Sequence, residues 1–332
     1  MRITILYDIQ DEEDGKRANG EQPAPVVCQQ VEDVLTKRGH EAKLLAASDN
    51  IRTLASQIDK DNSDLIFNLC ESLKGISQYE QNVASLLEVL GKRFTGAEAF
   101  GLALAQDKAL SKKIFHFHGI RYPKFSLMRA GRVDYSDELD FPLIVKPANE
   151  DSSIGIDGNA IVRNLKDLME RISYIHTEFN TPVLIEEFIE GRELYIGVLG
   201  NDKPEALPIL EWDFSSIPDD FPKIATNEAK WDEDSVYKQA PEVFPNDIPG
   251  EVVQRIQEDA VNAFKLLHLR DYGRVDMRLF HDAKTDEWRN YIIEVNPNPY
   301  LEKKSELAMS ARKHGLSYPD LVEKIAQMAF ER

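Results

Sequence analysis

The chain has 332 residues, of which 58 are acidic and 40 are basic, so its formal net charge is -18. This length indicates one large domain or two to three smaller ones with a sizeable buried core. The acidic balance argues against a nucleic-acid-binding protein, because phosphate contacts require a surplus of lysine and arginine.

Redox and targeting features predict a cytoplasmic protein. The two cysteines, Cys28 and Cys70, are too few for a disulfide framework, which indicates a reducing compartment. The N-terminal sequence MRITILYD is typical of a short strand rather than of a signal peptide. No apolar run approaches the length of a membrane span, so we expect no membrane partner.

The N-terminal part of the chain predicts strands that alternate with helices, the pattern of a parallel sheet. Strands are predicted at residues 3–7, 41–45, 64–69 and 92–96, and helices at about 26–38 and 79–90. The segment DIQDEEDGKRANGEQPAP is predicted to be a long mobile loop. Parallel sheets bind ligands beyond the C-terminal ends of their strands, so Asn68, Glu71 and Glu80 are candidate substrate residues, with ordinary surface polar residues as the alternative.

The segment DKALSKKIFHFHG predicts a helix with Asp107 as its N-cap and Gly119 at its end. The apolar residues Leu110, Ile114 and Phe117 fall on one face of this amphipathic helix. Lys108 lies in the first turn, where a positive charge opposes the helix macrodipole, and this hints at a function.

The next segment, FPLIVKPANEDSSIGIDGNAIV, predicts a strand that ends at Lys146, a polar loop and a returning strand. A polar loop with backbone N–H groups and small hydroxyls can cover phosphates, and Lys146 can reach an oxygen between the α- and β-phosphates. The GxxxxGK[ST] pattern of a Walker A loop is absent, and a generic hairpin is the alternative interpretation.

A helix capped by Asn164 is predicted next, and its inward residues are Leu165, Leu168, Ile172 and Ile175. Two strands follow, VLIEEFI and GRELYIGVLG, and a strand that leads into a tight glycine turn can offer backbone groups to an adenine edge. Glu193, just past the turn, can bind ribose hydroxyls. Residues 213–250 are predicted to be a long loop, which in a compact domain is usually functional or disordered.

Two strands near the C-terminal end carry candidate metal ligands. RVDMRLF alternates and places Arg274, Asp276 and Arg278 on one face, and YIIEVN places Glu294 and Asn296 on one face. If these strands pair in antiparallel, two carboxylates and an amide oxygen lie together, a ligand set that suits Mg²⁺. A solvated hairpin face is the alternative.

From about Asp64 onward the chain resembles the ATP-grasp superfamily and is most similar to its D-alanine–D-alanine ligase branch. The resemblance rests on fragments in the order and spacing of that family, namely RFTG, DKALSKK, FPLIVKP with EDSSIG, VLIEEFIEGRE, NEAKW, GRVDMRL and IIEVNPNP. It implies an α/β and α+β protein, in which an N-terminal Rossmann-like parallel-sheet domain precedes the ATP-grasp fold. The expected boundaries are 1–103 for the Rossmann-like domain, 104–190 for the central ATP-grasp lid and 191–332 for the C-terminal subdomain with the metal site.

The resemblance also implies roles for the matched residues. The nucleotide-binding set is Lys108, Lys146, Ser153 and Gly155 for the phosphates, Glu186, Glu187 and Ile189 for adenine, and Glu193 for the ribose. The metal-binding set for two Mg²⁺ ions, or Mn²⁺ in their place, is Asp276, Glu294 and Asn296. The catalytic set is Arg274 beside the developing oxyanion, with Lys230 and Ser152 closing over the site. The substrate-binding set is Glu71, Trp231, Tyr300 and Ser305, of which Ser305 would face the acceptor carboxylate.

The match is complete over the nucleotide half and differs over the amino-acid half. The N-terminal loop DIQDEEDGKRANG is longer than the glycine-rich loop of the family, and the histidine expected near Glu71 is absent. Trp231 stands where a tyrosine is usual, and Tyr300 stands where a glycine is expected. We therefore expect specificity for substrates other than D-alanine.

The sequence thus predicts an ATP- and Mg²⁺-dependent ligase that joins a carboxylate to an amine through an acylphosphate and acts on small amino acids or amines. The alternatives are a true D-alanine–D-alanine ligase, an ATP-binding protein of the same fold without ligase activity, and a kinase that stops at phosphorylation. Dimers are usual in the resembled family, so a homodimer is implied, with neither nucleic acid nor membrane as a partner.

Overall fold

The computed structural model describes residues 1–8, 24–149, 155–218, 220–226, 228–229, 232 and 234–332. The strands are β1 (Arg2–Tyr7), β2 (Glu41–Ala46), β3 (Leu65–Asn68), β4 (Phe125–Arg129), β5 (Arg132–Ser136), β6 (Leu143–Pro147), β7 (Ile161–Val162), β8 (Val183–Glu187), β9 (Arg192–Leu199), β10 (Glu205–Ala206), β11 (Leu210–Trp212), β12 (Glu242–Val243), β13 (Tyr272–Asp282) and β14 (Glu287–Asn296). The helices are α1 (Val26–Lys37), α2 (Ile51–Lys60), α3 (Glu80–Val89), α4 (Ala99–Gln106), α5 (Lys108–Phe117), α6 (Leu165–Glu178), α7 (Gly250–Leu266), α8 (Glu306–Lys313) and α9 (Tyr318–Glu331).

The N-terminal sheet is parallel, as predicted, with the order β2-β1-β3. The apolar strand β3 is buried along its whole length. One predicted strand is wrong, because KRFTG contributes only an isolated parallel bridge between Phe94 and Ile66. Helices α2 and α4 were not predicted, since α2 buries only Leu54 and Ile58 and the sequence of α4, AFGLALAQ, is too uniformly apolar to show a period.

The two faces of this sheet belong to different parts of the core. Ile3, Ile5 and Phe67 pack in a cluster with apolar residues of α1 and α9. Leu6 and Ile66 face the opposite side and pack in a second cluster with α2, α3, α7, β9 and β13. Because that second cluster runs from the N-terminal sheet to the large C-terminal sheet, the carboxyl ends of β1 and β3 are fixed relative to β13 and β14.

A second sheet is antiparallel, with the order β5-β4-β8-β6-β7. Helix α6 packs Ile172 and Ile175 against it, and Asn164 caps this helix by accepting a hydrogen bond from Asp167 N. Leu165, which was predicted to face inward, is instead exposed. Leu165 is the first residue of the helix, and it is not part of the cluster that packs between the helix and the sheet.

The third sheet is the largest, with the order β12-β11-β9-β13-β14 and β10 paired to β9. Helix α7 covers one face through Ile256, Ala260 and Phe264, and α8 packs Leu307 close to Gly197 of β9. A Cβ atom at Gly197 would lie 2.7 Å from the Leu307 side chain, so the glycine permits the close approach of helix and strand.

Residues 213–250 were predicted as a loop, and the described part of this segment contains short regular elements. It includes 3-10 helices at Phe214–Ser216 and Val236–Gln239 together with strand β12. A small core of Phe214, Ile217, Ala229, Tyr237 and Ala240 holds the segment together. The aromatic residues are spaced too irregularly along the sequence to reveal this cluster.

Helix α5 begins after Asp107, whose side chain accepts a hydrogen bond from Leu110 N as predicted. Its buried face differs from the one that the apolar spacing indicated, because Leu110 and Phe117 are exposed. The helix buries Lys108 and Lys112 instead. A helix that turns lysines inward implies buried partners of opposite charge.

None of the helices that the structure describes combines the length and the apolar character needed to cross a bilayer.

Candidate active site

The hairpin of β13 and β14 brings the three candidate metal ligands together, as the sequence predicted. In its register, Arg274 lies opposite Asn296 and Asp276 lies opposite Glu294. The register shifts after Asp276, so that Ile293 is an extra residue on β14. This bulge breaks the expected alternation, and both Ile293 and Glu294 border the same cavity.

Asp276 is already engaged by two neighbours. Arg274 donates from Nε to Oδ1 at 2.7 Å and from Nη2 to Oδ2 at 2.9 Å, and Asn296 Nδ2 donates to Oδ2 at 3.1 Å. Arg274 also donates to Glu306 at 3.1 Å. Burial disfavours the charged guanidinium, but Asp276 and Glu306 keep the pKa of Arg274 well above its usual value.

This donor set fits a hard divalent cation. Asp276 and Glu294 supply carboxylate oxygens and Asn296 supplies an amide oxygen, which is the chemistry that Mg²⁺ prefers when phosphates complete its shell. In the part of the chain that the structure describes, no three His, Cys, Asp or Glu side chains gather as a protein-only metal cage.

A second charged group lies across the cavity, on the antiparallel sheet. In the pairing of β6 with β8, Ile144 lies opposite Glu186 and Lys146 lies opposite Leu184, so Lys146 and Glu186 are diagonal neighbours on one face. Lys146 Nζ lies 2.7 Å from Glu186 Oε2, and Lys112 Nζ of helix α5 lies 2.9 Å from Oε1.

These three side chains are all buried. Burial alone would raise the pKa of Glu186, but the ammonium groups of Lys112 and Lys146 outweigh it and place that pKa below its usual value. The contact of Lys112 with Oε1 is an ion pair without hydrogen-bond geometry, and Oε1 has no hydrogen-bond donor among the described residues. A buried oxygen of this kind can accept a hydrogen bond from a ligand.

Lys108 connects the helix to the hairpin. Its buried Nζ lies 3.6 Å from Glu294 Oε2. Lys108 and Lys112 are four residues apart on α5, so both project from the same helix face. The two lysines that the sequence assigned to phosphates, Lys108 and Lys146, therefore lie on different elements: Lys146 lines the cavity, and Lys108 contacts Glu294, which also lines it.

The cavity lies between the antiparallel sheet and the large sheet. Its walls include Lys146, Glu186, Glu187, Ile189, Glu193, Asp276 and Glu294, together with the apolar residues Ile144, Ile156, Phe188, Ile224 and Met277. The predicted adenine and ribose residues thus share one pocket with Asp276 and Glu294, the two carboxylates of the predicted metal set. Apolar walls with a few polar groups are typical of a small-molecule site.

The predicted ribose ligand Glu193 has several neighbours. Its Oε2 accepts from Arg278 Nη1 at 3.0 Å and from Ala225 N at 3.2 Å, and its Oε1 accepts from the Tyr195 hydroxyl at 3.0 Å. A carboxylate can accept about four hydrogen bonds, which leaves capacity for a sugar hydroxyl. Arg278 also donates to the carbonyls of Ile189 and Lys223, at 3.1 and 3.0 Å.

Two other candidate nucleotide residues in the described part of the chain, Glu187 and Gly155, make contacts with protein groups. Glu187 Oε2 accepts from Lys124 N at 3.2 Å. Gly155 has a φ of +73°, and a Cβ atom there would lie 2.7 Å from Pro147, so a glycine is required. Its carbonyl accepts from the buried Arg171 at 2.5 Å, which ties this end of the polar loop to α6. The predicted residues Ser152, Ser153, Lys230 and Trp231, and the N-terminal loop after Asp8, lie outside the described residues.

On the acceptor side, Glu71 follows β3 and Asp8 follows β1. Asp8 accepts from Glu71 N at 3.1 Å and from the Ser72 hydroxyl at 2.5 Å. Glu71 as a whole residue is exposed, yet burial around its carboxylate, with the charge of Asp8, raises its pKa to about 7. Tyr300 is partly exposed, and burial of its hydroxyl, with the charges of Glu302 and Glu71, raises its pKa.

Ser305 is the N-cap of α8, and its hydroxyl accepts from Ala308 N at 3.4 Å. It is buried, and the next residue, Glu306, is the one that pairs with Arg274. Ser305, a predicted substrate residue, is therefore adjacent in sequence to Glu306, which is the partner of the predicted catalytic residue Arg274.

The motifs RFTG and IIEVNPNP meet in space. Asn298 Oδ1 accepts from Ala97 N at 3.0 Å, and Asn298 Nδ2 donates to Glu80 at 2.8 Å. A Cβ atom at Gly96 would lie 2.3 Å from Asn298 Oδ1. Glu80, a candidate substrate residue, is thus engaged in holding the loop that follows Asn296.

Sequence reasoning missed Lys112, Glu306 and Asp8. Lys112 could have been found from its four-residue spacing to Lys108, and Asp8 from its place at the end of the first parallel strand. Glu306 had no signal, because its contact with Arg274 joins residues 32 positions apart.

The chain is similar to proteins of one known family. The family model described as D-ala D-ala ligase C-terminus matches residues 113–327. The D-alanine–D-alanine ligase of Desulforudis audaxviator is 33% identical over 304 residues, which cover 90% of this chain and 90% of that protein. The uncharacterized protein y4sG of Sinorhizobium fredii is 30% identical over 315 residues, which cover 93% of this chain and 89% of that protein.

Among solved structures, the D-alanine–D-alanine ligase from Bacillus anthracis complexed with ATP matches with a TM-score of 0.75. The match covers 100% of this chain and 98% of that one at 22% identity, and it confirms the expected fold class. Because the family model spans most of the chain and includes the antiparallel sheet, the large sheet and the β13–β14 hairpin, the chain belongs to the D-alanine–D-alanine ligase family, a family of ATP-dependent carbon–nitrogen ligases with the ATP-grasp fold.

Proposed function

We propose that this protein is an ATP- and Mg²⁺-dependent ligase that joins the carboxylate of one small amino acid to an amine, with specificity that differs from that of a D-alanine–D-alanine ligase. The observation that carries this proposal is the single cavity that Lys146, Glu186 and Glu193 share with Asp276 and Glu294. A pocket that combines nucleotide-binding groups with a carboxylate pair suits phosphoryl transfer.

The nucleotide would enter with its adenine beside Glu186, Glu187 and Ile189 and its ribose beside Glu193. The carboxylate of Glu186 supports this orientation, because its oxygens can accept further hydrogen bonds, including one from an exocyclic amino group. Lys146 and Lys108 would bind the phosphates, and the segment with Ser152, Ser153 and Gly155 would cover them.

A carboxylate is a poor electrophile because its oxygen is a bad leaving group. The substrate carboxylate would attack the γ-phosphorus, the bond to the β-phosphate oxygen would break, and ADP and an acylphosphate would form. The amine nitrogen would then attack the acyl carbon, inorganic phosphate would leave with its bonding electrons, and the amine proton would pass to phosphate or solvent. Arg274, with Lys230 and Ser152, would stabilise the tetrahedral oxyanion and exclude water.

Asp276, Glu294 and Asn296 would hold the Mg²⁺ ions, which supply charge neutralisation for the phosphates. Arg274 and Asn296 take three of about four acceptor positions on Asp276, so the guanidinium or the carboxylate would shift if a cation bound through more than the remaining one. Phosphates bring their own negative charge, so they favour this rearrangement.

On the acceptor side we propose Glu71, Tyr300, Ser305 and Trp231 as substrate residues. Tyr300 places a ring where a backbone approach is expected, and the charges of Glu302 and Glu71 make its surroundings acidic. An acidic region and a bulky ring favour a larger or positively charged amine over D-alanine.

A second candidate is D-alanine–D-alanine ligase activity itself, because the Desulforudis relative with 33% identity carries that name. The two candidates differ only in substrate.

We further propose domain boundaries at 1–103, 104–190 and 191–332. We also propose a homodimer and a cytoplasmic location, and the two buried free cysteines, Cys28 and Cys70, favour that location.

The test is release of ADP and phosphate over pairs of amino acids and amines with Mg²⁺, with hydroxylamine added to trap an acylphosphate. We expect turnover only when both a carboxylate and an amine substrate are present. ADP release that needs one substrate alone and yields a stable phosphorylated product would identify a kinase. Absence of turnover over the whole panel, with ATP still bound, would identify a binding protein.

A further inference from the structure

Lys112 is a buried ammonium group to which the proposed reaction gives no role. Its side chain is 1% exposed, and it lies behind the cavity wall that Lys146 and Glu186 form. Its Nζ lies 2.9 Å from Glu186 Oε1 and donates to the carbonyl of Ile293 at 2.9 Å. Ile293 is the extra residue of the β14 bulge, so Lys112 also satisfies a carbonyl that the bulge takes out of the regular ladder.

The charges of this group do not cancel. Lys112 and Lys146 carry two positive charges and Glu186 carries one negative charge, and all three side chains are at most 5% exposed. Burial and the charge of Lys146 lower the pKa of Lys112, whereas the charges of Glu186 and Glu294 oppose that effect, and Glu294 is itself paired with Lys108. An excess positive charge in a buried site is unfavourable without an anion, so the arrangement favours an anionic ligand.

Removal of Lys112 would change the charge balance around Lys146. Glu186 would then pair with Lys146 alone, at the 2.7 Å distance already present, and the pair would be neutral. A buried neutral pair offers little attraction to a phosphate, because the carboxylate opposes the ammonium group at close range. Lys146 would therefore still be present but would bind phosphate weakly.

We propose that Lys112 is a positioning residue for the nucleotide: by pairing with one oxygen of Glu186, it leaves the charge of Lys146 available to the ATP phosphates. This inference rests on the proposed function, because it assumes that ATP occupies the cavity. Lys112 does not line the cavity, yet on this proposal it makes the site prefer a phosphorylated nucleoside to one without phosphates.

The test compares the dissociation constants of ATP and adenosine, measured by equilibrium dialysis at fixed Mg²⁺, in the full-length protein. Lys112→Met should reduce the preference for ATP over adenosine by about tenfold or more, since the net charge beside the phosphates falls by one. Adenosine affinity should change much less. A general folding defect would weaken both ligands together, so the ratio separates positioning from structure.

Two further variants complete the design. Lys113→Met is the matched control, because Lys113 is the next residue of the same helix, is exposed and packs over the Tyr135 ring. It should leave the ratio unchanged. Lys112→Met combined with Glu186→Gln removes both members of the pair, restores the single positive charge of Lys146 and should return the preference for ATP towards that of the unmodified protein.

A preference for ATP that stays within about twofold of the unmodified protein in Lys112→Met would overturn the inference. Loss of that preference in the double variant would overturn it as well, and this variant keeps the test decisive if Lys112→Met alone does not fold. If the unmodified protein binds neither ligand, the proposed function fails together with this inference. If it binds ATP and only the ratios disagree, the inference alone fails.

Discussion

Arg274 and Asp276, two positions apart on β13, are joined by two hydrogen bonds of 2.7 and 2.9 Å between the guanidinium and both carboxylate oxygens. The proposed metal ligand is therefore also the main partner of a buried arginine. Glu294, the other proposed carboxylate ligand, makes a longer ion pair of 3.6 Å with Lys108, and its side chain is more exposed than that of Asp276. Substitutions at the two carboxylates should consequently have different effects on stability.

Glu294→Gln should reduce ADP release by about a hundredfold or more, while the free energy of unfolding changes less than in Asp276→Asn, because the ion pair of Glu294 with Lys108 is longer and more exposed than that of Asp276 with Arg274. Asp276→Asn should cause a similar loss of turnover and also lower the free energy of unfolding by about 1–3 kcal/mol, since Arg274 loses a buried charged partner. Turnover at saturating Mg²⁺ and urea denaturation measure the two effects. Near-normal ADP release from Glu294→Gln would contradict the metal assignment.

Lys146→Ala should weaken ATP binding as well as turnover, because Lys146 is proposed to contact the nucleotide in both the ground state and the transition state. We expect a loss in ATP affinity of roughly tenfold, measured by calorimetry with a non-hydrolysable analogue. Lys108→Ala should give a smaller loss in the same experiment. Unchanged affinity in Lys146→Ala would show that this lysine does not bind phosphate.

Arg278→Met should raise the KM for ATP by roughly tenfold and change kcat much less, because Arg278 positions Glu193 and the Ile189 carbonyl around the nucleoside rather than the reacting phosphate. The matched control is Arg289→Met on the same hairpin, where the arginine is exposed and pairs with Glu287. Initial-rate kinetics over a range of ATP concentrations measure both. A drop in kcat with unchanged KM would place Arg278 in the chemical step instead.

The pH dependence of kcat/KM for the amino-acid substrate should reflect Glu71. Its pKa is raised to about 7 by burial of the carboxylate and by Asp8, so the group is neutral below that pH and anionic above it. If Glu71 binds the substrate ammonium group, kcat/KM should rise between about pH 6 and pH 8 and then level off. Glu71→Gln should lack this rise, and an unaltered profile in that variant would exclude the role.

D-alanine offered as both substrates should be a poor pair for this protein, and Tyr300→Gly should improve it. The resemblance to the family leads us to expect a glycine at this position, with a backbone that approaches the acceptor, and loss of one matched polar contact can change discrimination between substrates by orders of magnitude. Turnover with D-alanine is compared with the panel of pairs in both proteins. D-alanyl-D-alanine synthesis that exceeds every other pair in the unmodified protein would favour the second candidate function.

Local patterns in the sequence were sufficient for the elements that have a clear period or a clear end. The alternation in RVDMRLF predicted the strand that carries Asp276, and the N-caps Asp107 and Asn164 predicted the starts of their helices. These features depend on residues a few positions apart, so they can be read without knowledge of the fold. The resemblance to a family added which of these elements share one site.

The partners of the charged residues were decided by tertiary structure. Helix α5 exposes Leu110 and buries Lys112 because Glu186, 74 positions away on β8, offers a buried carboxylate. The bulge at Ile293 likewise depends on the register of two strands and on a lysine from a distant helix. A local period reports only where apolar side chains fall, whereas the burial of charge depends on which long-range partner satisfies it, and that partner is set by the packing of the sheets.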